Sequence, residues 1–154
     1  MHPFMKHIVQ GDIEKVRKDI HLVNTVLPMG KYTKSTPLIA AIASEKTEMI
    51  DFILECPNLQ VSTIITTPIR DWIELETVFH LMAMYTIPLD ICTRILNHPS
   101  LDIKVLNSVN HDDYRPLDLA LEYHPDLVPL LKRKGAIRYW RVGPGFKPNP
   151  NEPS

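Results

Sequence analysis

Cys92 is the residue best suited to covalent chemistry. Paired with His80 or His98 it would make a thiol nucleophile and its base. It lies inside Leu89-Asp-Ile-Cys-Thr-Arg-Ile-Leu96, however, at a position that the apolar pattern turns inward. The expectation is a buried, inert thiol. Cys56 follows a helix in a loop and is expected to be unreactive as well. His111 beside Asp112 and Asp113 could form an acid–base cluster. A polar turn explains that run better. The chain has seven histidines, but no HExxH helix and no paired Cys/His spacing of the kind that holds a metal. It has no glycine-rich phosphate loop and no nucleophile elbow. No cofactor is expected, and the sequence does not read as an enzyme. Lys132-Arg-Lys134 could touch phosphates, but it falls in the last turn of a helix, where cations complement the dipole.

Composition narrows the classes further. With 44% hydrophobic residues and a net charge of −1, the 154-residue chain reads as one soluble globular domain. Near-zero charge argues against a dedicated nucleic-acid binder. No apolar run approaches the roughly 18 residues of a membrane span, and the start lacks the apolar stretch of a signal peptide. Two cysteines make neither a disulfide framework nor a zinc site, so a reducing cytoplasm is expected.

The elements that carry these residues recur. Thr36-Pro-Leu-Ile-Ala-Ala is echoed by Thr77-Val-Phe-His-Leu-Met-Ala83 and by Arg115-Pro-Leu-Asp-Leu-Ala120. The endings match too. Ile53-Leu-Glu-Cys-Pro-Asn-Leu59 lies over Ile95-Leu-Asn-His-Pro-Ser-Leu101, and then over Leu130-Leu-Lys-Arg-Lys-Gly-Ala136. A reduced copy starts at His2-Pro-Phe, with Gly11 at its turn and Ile13, Val16 and Ile20 on its second helix. The copies begin at 2, 36, 77 and 115, spaced by 34, 41 and 38 residues.

Thr-Pro-Leu-x-x-Ala with a Leu-Leu-x-x-Gly-Ala ending, at a period in the thirties, resembles the ankyrin repeat. The resemblance covers residues 2 to about 137. His80 alone keeps the family's histidine, where Ile39 and Asp118 replace it. Glycine stands between the helices only at Gly11. The implied fold is an all-α, ankyrin-like solenoid of stacked helix-turn-helix repeats with projecting hairpin loops. The repeats fall at about 2–23, 32–61, 73–103 and 111–137, within a domain spanning 1–137. The extension 138–154 is Pro-rich and expected to be largely mobile, although Tyr139 and Trp140 could fold back over the last repeat. The connectors 24–35, 62–76 and 104–114 would be the fingers, the middle one extended or an extra helical turn.

The resemblance implies a protein-interaction module, an adaptor or inhibitor, binding another protein on its concave face. In such a unit the finger tip and the end of the first helix line that face. Counting from each Thr-Pro position gives, among others, Tyr32, Glu74, Glu76, Met84, Tyr85, Asp112, Tyr114, Glu122 and Tyr123, and Trp72 is adjacent; these are the expected partner-binding residues. Tyrosine and tryptophan suit interface anchors because each joins a large apolar area to a polar tip. Charge is graded, with Lys31 and Lys34 on the first finger and Asp71, Glu74, Glu76, Asp112, Asp113 and Glu122 on the later ones. That favours a partner with a basic patch against the C-terminal half. The chain is expected to be a monomer before binding. The divergent repeats also resemble those of bacterial ankyrin-repeat effectors, which would place the protein in a host cytoplasm. The competing readings are a small enzyme using a cleft between fingers and a homo-oligomeric structural protein.

Overall fold

Each repeated Thr or its substitute starts a helix, the two threonines by the same cap and the other two sites by different ones. In the computed structural model, which describes residues 1–69, 72–110 and 112–138, α1 (Pro3–Gln10) is capped by His2. The His2 ring nitrogen accepts from the Phe4 N–H at 3.1 Å. The Thr36 hydroxyl accepts from Ile39 N–H at 3.3 Å and opens α3 (Pro37–Ala43). Thr77 does the same for His80 at 3.4 Å and opens α5 (Val78–Met84). At the fourth site Asp118 reaches back, accepting from Arg115 N–H at 2.9 Å, to open α8 (Pro116–Tyr123). These bonds satisfy amides that a helix start leaves unpaired. Proline at the first position of α1, α3 and α8 has no such amide to satisfy.

Each of these helices is followed by a second one. The second helices are α2 (Ile13–Lys18), α4 (Thr47–Leu54), α6 (Leu89–Leu96) and α9 (Val128–Arg133). Short 3-10 turns, Ile20–Leu22 and Pro125–Leu127, flank the first and last of them. α1 packs on α2, α3 on α4 and α8 on α9. The first helices also touch in chain order, α1 to α3, α3 to α5 and α5 to α8, while α4 touches α6 and α6 touches α9. Two rows of helices thus share one continuous core running from Phe4 to Ala136. Helices in the middle of the first row are covered on nearly all sides. Residues Pro37 to Ile42 and Val78 to Ala83 are all buried. Ala41, Ala83 and Ala120 are fully enclosed there, which lets neighbouring backbones approach.

The chain is mostly helical rather than all-α, because two connectors form small antiparallel hairpins. β1 (Leu27–Pro28) pairs with β2 (Lys34–Ser35), and β3 (Ile65–Ile69) pairs with β4 (Trp72–Glu76). The β-rich run before Pro68 therefore becomes an extended finger, one of the two outcomes its sequence allowed. The third connector departs from expectation. Residues Ile103–Leu106 form a short helix, α7, because the Asp102 carboxylate caps it by accepting from Lys104 N–H at 2.9 Å. What remains of that connector is a turn built on Asn110, not a hairpin.

Polar side chains tie the loops after the second helices to one another. Asn24 accepts from Gln60 N–H and donates to the Asn58 carbonyl, both at 2.8 Å. Ser62 donates to the Ser100 carbonyl at 3.1 Å and accepts from Asp102 N–H at 2.8 Å. Asn107 donates to the Gly135 carbonyl at 3.0 Å and accepts from Ile137 N–H at 2.9 Å. Charged groups join the second row on its outside. Arg17 lies over the Phe52 ring, 4.9 Å from its centre. Arg94 on α6 reaches back to Asp51 and Glu55 on α4.

Candidate partner-binding surface

Two histidines orient the helices that carry most of the predicted surface. At the start of α5, the His80 ring lies 3.3 Å from the carbonyl of Tyr114, just before α8. At the far end, the His124 ring that follows α8 lies 2.8 Å from the carbonyl of Ile87, which follows α5. Start meets start and end meets end, so α5 and α8 run parallel and in register.

That register sorts the predicted residues into groups. Met84 ends α5 and Tyr85 caps it, while Glu122 and Tyr123 end α8. All four are exposed, Met84 by 47%, Tyr85 by 38% and Tyr123 by 49%. The structure brings these four to one end of the helix pair, together with Leu121, which the sequence count missed. Glu76, Asp112 and Tyr114 precede the helices and gather at the opposite end. A helix of seven or eight residues, roughly 10–12 Å long, separates the two groups. Tyr32 is apart from both. It projects from the first hairpin's turn and, among the described residues, is the most exposed of the aromatic rings, at 76%. The side chains of Trp72 and Glu74, the whole of Asp71 and His111, and the extension from Tyr139 onward lie outside the described residues.

Local structure fixes Tyr114. The Asn110 side chain accepts from the N–H groups of Asp112 and Tyr114, each at 3.0 Å, and Asp113 takes a left-handed φ of 64°. The Tyr114 carbonyl is then held by His80, so the ring leaves the turn toward solvent, 41% exposed. Sequence reasoning passed over Asn110, although asparagine five residues before a helix cap is a recognisable turn signal.

Of the candidate catalytic residues, Cys92 and His80 are buried and His98 is hydrogen-bonded to Ser100, while Asp112 and Asp113 are exposed. Burial pushes the Cys92 thiol up to about 12, and its sulfur donates to the Ile87 carbonyl at 3.4 Å. Such a thiol is not a nucleophile at neutral pH. Burial also raises Cys56. His80 is pushed down to about 4 by burial, against the opposing pull of the Tyr114 and Ser108 backbone. The His98 ring accepts from the Ser100 amide at 3.1 Å, and burial lowers it as well. Among the described residues no three His, Cys, Asp or Glu side chains cluster as metal ligands. No helix among them is long and apolar enough to cross a membrane.

The chain matches no known protein-family model and no curated protein.

Proposed function

We propose that the chain is a four-unit, ankyrin-like solenoid acting as a protein-interaction module, an adaptor or inhibitor. It binds a partner protein through the face formed by the fingers and the exposed ends of the first-row helices. The observation that carries this reading is the cluster of Met84, Tyr85, Leu121 and Tyr123 at the shared end of α5 and α8. Large apolar side chains gathered at one exposed edge, with Glu122 beside them, match the composition of interface anchors. The inner helices are rigidly packed, so such a surface is preformed and little ordering entropy opposes binding. The buried Thr77–His80–Tyr114 contact further supports the ankyrin-like reading, because it gives the one retained histidine a structural part between units.

The test is capture of partners from a cell extract by the wild type beside Tyr85→Ala/Tyr123→Ala, followed by measured affinity for the captured protein. Both tyrosines are half-exposed, so the double variant should keep its stability within about 0.5 kcal/mol per site. Affinity should fall by at least tenfold, about 1.4 kcal/mol. Unchanged affinity in that variant and in Asp112→Lys would end the proposal.

A further inference from the structure

The first hairpin's turn and the strand β3 enclose a cleft of about 300 Å³, lined among others by Lys31, Tyr32, Thr33, Lys34, Thr66 and Thr67. Its lining includes two ammonium groups and four hydroxyls but no acidic side chain. Neither lysine forms an ion pair among the described residues. The turn is closed by the Thr33 carbonyl, which accepts from Met29 N–H at 2.9 Å and Gly30 N–H at 3.4 Å. The Lys31 ammonium rests 5.1 Å from the centre of the Tyr32 ring. The two charges are thus carried on a fixed turn against the neighbouring finger.

Two other hollows among the described residues lack this character. The one beside Gly11 mixes Lys46 with Glu45 and Glu48. The one between α6 and α9 holds Arg133 and Lys134, whose charges already complement the C-terminal end of α9.

We propose that this cleft seats a carboxylate side chain from an acidic segment of a protein partner. Charge complementarity names the occupant. Two lysines and hydroxyl donors suit a compact single charge. Lysine also binds phosphate as a point charge, but an arginine fork would be needed to grip it bidentately. The cleft lining has no arginine. The inference rests on the reading of the chain as an interaction module and extends it. The first finger would take an acidic element of the partner, where the tyrosine end takes an apolar and basic one. The partner's contact surface would then be dipolar along the stack.

The experiment is a titration of isotope-labelled protein at low salt, followed by amide NMR, using hexaglutamate peptide, hexalysine peptide and inorganic phosphate as separate probes. Hexaglutamate should move the amides of Thr33, Lys34, Thr66 and Thr67, and added salt should reverse the shifts. Lys31→Gln/Lys34→Gln, at exposed positions that leave the fold intact, should weaken that binding about fivefold or more. Shifts absent from these residues, or unchanged in the double variant, would overturn the proposal. Equal shifts with phosphate would overturn it as well, by showing a general anion hole. The interaction-module reading is tested at Tyr85 and Tyr123, so its failure and this one are read at different residues.

Discussion

The His80 ring spans two units, with Nδ1 2.8 Å from the Thr77 hydroxyl and Nε2 3.3 Å from the Tyr114 carbonyl. A carbonyl only accepts, so Nε2 carries the proton and the neutral Nδ1 accepts from Thr77. The Thr77 oxygen in turn accepts from the His80 amide, so one hydroxyl serves both the cap and the ring. Burial lowers the folded pKa to about 4, against about 6.5 in an unfolded chain. Between those values the unfolded chain binds the extra proton. The contribution is therefore complete above about pH 6.5 and is lost as pH falls toward 4, by about 3 kcal/mol in all. Thermal melts across that window should show a smaller acid loss in His80→Gln than in the wild type. Parallel pH curves would refute the assignment.

The turns between first and second helices store strain at two places. Gly11, Glu45 and Thr86 all take positive φ, at 75°, 55° and 49°. Glycine is at ease there, but a β-branched residue is not. Thr86→Gly should stabilise by about 1 kcal/mol, raising Tm by about 2–4 °C, and Glu45→Gly by less. Gly11→Ala should destabilise by a similar amount, although its Cβ would meet only a lysine side chain at 3.6 Å. Differential scanning calorimetry decides the signs.

Asn107→Ala removes both bonds to the final loop, to the Gly135 carbonyl and the Ile137 amide. The site is exposed, so the loss should be about 1 kcal/mol. Hydrogen exchange locates it. The Ile137 amide should exchange faster while amides within α3 keep their rates.

Native-state labelling with a thiol reagent should leave Cys92 unmodified until the protein unfolds, because it is fully buried and its thiol is raised to about 12. Cys56, 9% exposed, should react slowly. Mass spectrometry of the peptides reads both, and prompt labelling of Cys92 would contradict its placement.

Much of this was legible in residues that act locally. Thr36-Pro37 and Arg115-Pro116 mark helix starts because capping and proline geometry need only a few neighbours. Cys92 reads as core because the helical period turns it inward. The left-handed turns at Glu45 and Thr86 were invisible, since neither residue announces that conformation. The helix α7 displaced an expected hairpin because Asp102 caps it, a local signal outweighed by the assumption of regular fingers. Asn24, Ser62 and Asn107 look like ordinary loop residues, and their partners lie 28 to 40 positions away. At the site, exposure of the tyrosines followed from the repeat register. Their division between two ends did not, because counting residues on either side of a helix ignores its length.

The parallel register of α5 and α8 has an electrical effect. Each helix carries about half a negative charge at its C-terminal carbonyls. Both ends face the side of Met84, Tyr85 and Tyr123, so their backbone fields add there. Neutralising Glu122 would leave that contribution in place, since it comes from peptide groups that no side-chain substitution removes. The potential at this edge is therefore written partly into the direction of the chain, and only salt can screen it.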